Sequence, residues 1–158
     1  VEARMTNLAH PGVQLEDTLL AFVTFQGGAQ GVVEASTALW PGTDVRIEIN
    51  GTAGTAIMAG ERMVTWQFRD ERPEDPEIRT YGNAAQATGA SGAAAFGFAD
   101  HQVVIQDLLD AVRQNREVVI PVETVRPTLE IVLAMYQSAA RHAPVALPVT
   151  DDDSVWNA

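Results

Sequence analysis

An α+β domain, built as an open, mostly antiparallel sheet of about six strands with two C-terminal helices packed on one face, is the fold the sequence predicts. Three observations predict it. Between Val1 and Arg69, short runs of apolar residues alternate at a two-residue period and are separated by glycine, proline or asparagine. Beyond Asp100 the apolar residues return at three- and four-residue intervals, the period of a helix lying on a core. Between these regions lies a charged, proline-broken and then glycine- and alanine-rich stretch that follows neither period.

Glu2 to Leu8 reads as the first strand, left through His10-Pro11-Gly12. Glu16 to Phe25 is the second, with Leu19, Ala21, Val23 and Phe25 on one face and Thr18, Leu20, Phe22 and Thr24 on the other. Both faces are largely apolar, whereas an antiparallel sheet with one wet face alternates more cleanly. The expectation is therefore helices on one side and a partner subunit on the other. Gly27-Gly28 turns into a third strand, Ala29 to Leu39, which Trp40-Pro41-Gly42 ends because the proline ring fixes φ and the glycine frees the turn. Val45, Ile47 and Ile49 alternate with Arg46, Glu48 and Asn50 in a half-buried fourth strand. Asn50-Gly51 predicts a tight turn into a fifth, Gly54 to Met58, and Met63 to Arg69 is the sixth.

Residues from about 70 to 95 read as a long flexible loop, since connections of that length inside a compact domain are uncommon unless they close over or bind something. A short strand at Glu77 to Tyr81 is expected to interrupt it. Asp100 suits the N-cap of a helix to about Asn115, with Ile105, Leu108, Leu109 and Val112 as a stripe lying on the sheet. Thr124 is expected to cap a second helix with Pro127 in its first turn and Leu129, Val132, Leu133, Tyr136 and Ala140 as its inner stripe. Val145 to Pro148 adds an extended piece. The expected organisation is one domain over 1–150 and a solvated acidic tail over 151–158.

Composition removes several function classes. The chain has 158 residues, 46% hydrophobic, with no cysteine, which excludes disulfides, thiolate metal sites and cysteine nucleophiles. A reducing cytoplasm is the default location. The net charge of −11 argues against nucleic acid as a partner, and no apolar run approaches the roughly 20 residues of a membrane span. All ten basic residues are arginine, and lysine is absent. The sequence opens at Val1, directly in a strand-like run, as a piece of something longer would.

Taken in order, certain phrases resemble the C-terminal domain of the Gfo/Idh/MocA family of nicotinamide-dependent oxidoreductases. They are Glu16-Asp17-Thr18, Phe25-Gln26-Gly27-Gly28-Ala29, Ala35-Ser36, Ile49-Asn50-Gly51-Thr52-Ala53-Gly54-Thr55, His101, Tyr136-Gln137-Ser138-Ala139 and Val145-Ala146-Leu147-Pro148. The resemblance implies a missing N-terminal Rossmann domain holding NAD or NADP, a homo-oligomer formed through the open sheet face, and a small-molecule sugar, polyol or cyclitol substrate. It also implies a catalytic lysine and an Asp/His pair near the domain junction. This chain has neither the lysine nor a Gly-x-Gly-x-x-Gly leading into a helix, because Gly89, Gly92 and Gly97 are spaced otherwise. The expectation is the substrate-side and dimerisation domain, binding no cofactor and inactive alone. A free-standing α+β ligand-binding or dimerisation module without redox activity is the alternative.

Three residues stand as substrate-binding candidates. His101, beside Asp100, suits a sugar-hydroxyl hydrogen bond or proton transfer; Trp40 suits stacking on a sugar ring; Arg46 suits a substrate carboxylate or a subunit partner. His10 and His142 read as loop and helix-end residues, and Glu16/Asp17 as turn charges rather than an acid/base constellation. No catalytic, cofactor-binding or metal-ligating residue is expected.

Overall fold

The computed structural model describes residues 1–81 and 98–149. The chain forms two compact units, Val1–Leu39 with the chain from Val104 onward, and Trp40–Val103.

In the first unit, strands β1 (Glu2–Thr6), β2 (Thr18–Thr24) and β3 (Gln30–Ser36) form an antiparallel sheet in that order. Its register puts Ala3 opposite Ala21 and Met5 opposite Leu19 on one face, with Leu20 opposite both Arg4 and Glu34 on the other. The first face is the core. Ala3, Leu19, Ala21 and Val23 are buried with Met135 of the long helix Val122–Arg141, and Val1, Met5 and Ile131 pack around them. Burying each of the larger aliphatic side chains contributes about 1.5–3 kcal/mol before entropy is counted. Ala134 and Ser138 on the helix are fully buried, so small side chains on both surfaces let helix and sheet approach closely.

The ends of the unit are fastened by hydrogen bonds. The Ala3 amide, on the outer edge of β1, donates to Ser138 Oγ at 2.9 Å, and Val1 and Val145 exchange two bonds of 2.8 Å. These satisfy an edge strand that otherwise invites pairing with another chain.

In the second unit, β4 (Arg46–Gly51), β5 (Gly54–Ala59) and β6 (Arg62–Phe68) form another antiparallel sheet in sequence order. The six antiparallel strands therefore appear as two sheets of three, within the α+β class the sequence predicts. A bulge between Ile57 and Met58 shifts the β5–β6 register. A short helix, α1 (Asp75–Ile78), borders β6. Its Asp75 is buried and accepts the Trp66 indole N–H and the Arg72 amide, both at 2.8 Å. The Trp66 bond, the Arg72 amide and two nearby arginines outweigh burial and hold the Asp75 carboxyl below its ordinary value. The next helices are α2 (Ala99–Gln114) and α3, the long helix already described.

Several expectations are corrected. The hairpin turn is centred on Thr52-Ala53, two residues later than Asn50-Gly51, because Asn50 stays in the ladder opposite Thr55, whose hydroxyl donates to Asn50 Oδ1. Glu77 to Tyr81 is the end of a helix and a turn, not a strand; the Tyr81 carbonyl accepts the Met63 amide of β6. Asp100 lies inside α2 rather than capping it. In α3 the cap is Pro121, Thr124 donates to the Pro121 carbonyl, and Pro127 falls in the second turn.

The helix faces differ too. Ile105, Leu108, Leu109 and Val112 of α2 are exposed instead of lying on the sheet, and Ala111 is that helix's buried residue. In α3 the buried residues are Ala134, Met135, Gln137 and Ser138, while Leu129, Val132 and Ala140 of the expected stripe are exposed. Both helices carry two apolar stripes, and periodicity alone cannot say which one meets the sheet. Residues 82–95 and the tail from 151 lie outside the described residues.

Candidate functional site

Polar contacts in the first unit gather where β2 begins and β3 ends. Glu16, Asp17 and Thr18 are consecutive, and each makes a different connection. Glu16 accepts a short hydrogen bond from the Tyr136 hydroxyl of α3. That bond, then burial, raises the Tyr136 hydroxyl above its ordinary value. Thr18 and Ser36 share a hydroxyl contact of 2.9 Å across β2 and β3, and the Ser36 hydroxyl also accepts the Ala38 amide at 3.0 Å. The Asp17 carbonyl accepts the Thr37 amide at 2.8 Å.

The Asp17 side chain faces the loop that leaves β1. Its carboxylate accepts the Leu8 amide at 3.0 Å, the Ala9 amide at 2.7 Å, the Thr18 hydroxyl at 3.1 Å and the His10 Nδ1–H at 3.0 Å. Burial alone would raise this carboxyl, but the two amides, His10 and Thr18 together hold it far below the usual carboxylate range. The Asp17 side chain is 3% exposed and that of His10 is 48% exposed. A buried carboxylate thus holds one ring nitrogen of a histidine whose other edge faces outward.

Asn7 organises the same loop from the other side. Its Nδ2 donates to the carbonyls of His10, Val13 and Leu15 at 3.1, 2.9 and 2.9 Å, while its Oδ1 accepts the His10 amide. Carbonyls turned inward leave the side chains to radiate outward, and Leu8, Val13 and Leu15 are all exposed. Gly12 takes φ +93°, a conformation that an L side chain rarely adopts.

The residues singled out from sequence fall in the second unit. Trp40 is 94% exposed, and a cis peptide bond joins it to Pro41. Arg46 is an exposed strand residue paired with Glu48 at 2.7 Å. Glu48 also accepts from Asn50, and the Asn50 bond, then Arg46, lowers its carboxyl. His101 is an exposed residue of the first turn of α2. Among the described residues no hydrogen bond or ring contact joins these three. A groove of about 390 Å³ runs along β6, lined by Met63 to Gln67 and by Arg79, whose guanidinium donates to the Trp66 carbonyl.

Sequence reading passed over the His10–Asp17 pair because the two residues are seven apart in an irregular loop, where no periodicity shows who meets whom. The available signal was chemical. Asn and Asp at the two ends of a proline- and glycine-containing loop are the residues that hydrogen-bond nearby backbone.

The Gfo/Idh/MocA C-terminal domain family matches residues 1–57, from β1 through most of β5. Solved structures extend the likeness over nearly the whole chain. The WlbA dehydrogenase from Chromobactrium violaceum, in complex with NADH and UDP-GlcNAcA, is 25% identical with a TM-score of 0.75, over 95% of this chain and 40% of that one. This chain is similar to the C-terminal domain of the Gfo/Idh/MocA family. The WlbA dehydrogenase from Bordetella pertussis, in complex with NADH and UDP-GlcNAcA, shares the fold at 22% identity and a TM-score of 0.75, over 94% of this chain and 40% of that one. An oxidoreductase from Agrobacterium radiobacter, in complex with NAD+, L-tartaric acid and magnesium, shares it at 21% identity and 0.56, over 89% and 41%. The chain therefore spans about 40% of the length of the solved proteins it matches. No curated protein matches it by sequence.

The described residues do not fit a dinucleotide. A pyrophosphate site of the Rossmann kind needs a glycine turn leading from a parallel strand into a helix N-terminus. All the described strand pairs are antiparallel, and the described connection from β6 to α1 has no glycine. Among them no cluster of three His, Cys, Asp or Glu is placed to hold a metal ion, and no helix is long and apolar enough to cross a membrane.

Proposed function

We propose that this chain is the substrate-side and association domain of a cytoplasmic, nicotinamide-dependent oxidoreductase acting on a sugar, polyol or nucleotide-linked sugar. The observation that carries the reading is the likeness over 95% of the chain to a dehydrogenase solved with NADH and UDP-GlcNAcA. The cofactor is NAD or NADP, bound by an upstream Rossmann domain, and hydride chemistry belongs to that part of the enzyme. This domain supplies a wall. Trp40 offers an indole face to a sugar ring, and His101 and Arg46 offer polar contacts to hydroxyl or carboxylate groups. Arg46 first has to leave Glu48, or carry it along.

The association role is supported by the outer face of the first sheet. Phe22 sits between Glu2 and Val32, and Leu20 between Arg4 and Glu34, with Phe22 67% exposed. An apolar centre with a charged rim is the anatomy of a subunit interface. A second copy of the chain is the proposed occupant.

The test is to express the chain with whatever its gene encodes ahead of Val1 and to follow NADH formation with UDP-sugars and free polyols. Turnover with one of these classes is expected. An upstream segment that binds no nucleotide would overturn the reading in favour of a binding module without redox chemistry.

A further inference from the structure

In the loop between β1 and β2, one side chain is oriented with more effort than packing alone explains. His10 is half exposed, yet its Nδ1–H is held at 3.0 Å by a carboxylate that is itself buried. That carboxylate is also anchored by two backbone amides and the Thr18 hydroxyl, so it cannot swing away from the ring. Asn7 uses both ends of its amide to fix the backbone that carries His10. A loop constrained at this many points pays little entropy when something binds it.

We propose that His10, oriented by Asp17, is a ligand-binding residue of this domain, accepting a hydrogen bond from a hydroxyl of a sugar-like ligand. With the proton held on Nδ1, the Nε2 lone pair is the available atom, and it has no protein partner among the described residues. Around it the loop exposes Leu8, Val13 and Leu15. A pyranose or cyclitol presents that combination in reverse, with hydroxyls at its edge and C–H groups on its face. An acceptor beside aliphatic side chains matches it, whereas a phosphate or other polyanion would meet the Asp17 carboxylate behind the ring. The proposal rests on the sugar-oxidoreductase reading for its ligand class and adds a residue that Trp40, Arg46 and His101 do not include.

The test uses the 158-residue chain with ¹⁵N-labelled histidine, and UDP-GlcNAcA and myo-inositol as probes. Long-range proton–nitrogen spectra are expected to show His10 protonated on Nδ1 at neutral pH, and to lose that preference in Asp17→Asn. At high probe concentration the His10 Nε2 signal should shift while that of His142 stays in place, and His10→Phe should weaken binding roughly five- to tenfold. An unbiased tautomer, or an affinity unchanged in His10→Phe with its fold intact by circular dichroism, would overturn the proposal. So would a His10 signal that neither probe moves. The separate failure of the oxidoreductase reading would appear as absent NADH formation alongside an intact His10 response.

Discussion

The Tyr136 hydroxyl donates to the Glu16 carboxylate across 120 residues of sequence, tying the last turns of α3 to the segment that opens β2. Two residues further along the helix, Ser138 accepts the Ala3 amide. The helix is thus fixed to both ends of the β1–β2 hairpin by side chains that share one region of its surface. Two phrases far apart in sequence, Glu16-Asp17-Thr18 and Tyr136-Gln137-Ser138-Ala139, are thus partners in the fold.

Replacing Tyr136 by phenylalanine keeps the ring and removes the donor. The charged acceptor on Glu16 then loses its partner, at a cost of about 1–2 kcal/mol. A lower urea midpoint with an unchanged slope is expected. Glu16→Gln, which still offers an oxygen to Tyr136, should lose less.

Ser138→Ala leaves the Ala3 amide without its acceptor in a fully buried position, which costs about 1–3 kcal/mol. Amide exchange should report it locally, with Ala3 exchanging much faster while the amides of the second unit are unaffected.

Asp17 makes an acid-sensitive contribution to stability. Its carboxyl is depressed in the folded chain relative to its ordinary value near 3.8. The unfolded chain therefore binds the proton more readily, so this contribution is fully present above about pH 5 and fades as pH falls through and below that ordinary value. Thermal melts from about pH 6 down to about pH 3 should show wild type and Asp17→Asn converging as the pH drops. A difference that stayed constant across this range would contradict the assignment.

Gly54 stands where a side chain does not fit. A Cβ there would lie 2.4 Å from the Gln67 carbonyl oxygen and equally close to the Phe68 ring. Gly54→Ala should therefore shift β6 and cost on the order of 2 kcal/mol, within the range of overpacking substitutions. Gly28, at φ +85° in open space, should cost only about 1 kcal/mol when changed to alanine. Paired denaturation curves compare the two.

Strand content was legible because alternation is a local property. Leu19, Ala21 and Val23 face the core and Leu20 and Phe22 face outward, as their spacing requires. The existence of α2 and α3 was equally legible, but their orientation was not. In α3, Val132 and Leu133 look as apolar as Ile131 and Met135, and what separates the stripes is the fully buried small pair Ala134 and Ser138, of which Ser138 accepts the Ala3 amide. The turn of the β4–β5 hairpin moved because Asn50-Gly51 is a strong turn former only when nothing better occupies Asn50, and Thr55 does. Trp40 and Arg46 were singled out from side-chain chemistry alone, whereas the His10–Asp17 pair depends on a contact that sequence spacing does not encode.

The state of association in solution tests the central claim most directly. Multi-angle light scattering at micromolar concentration should give at least twice the 17.0 kDa chain mass, and Phe22→Glu, on the outer face of β2, should return a folded monomer. A wild-type chain that is monodisperse at the single-chain mass would contradict the account.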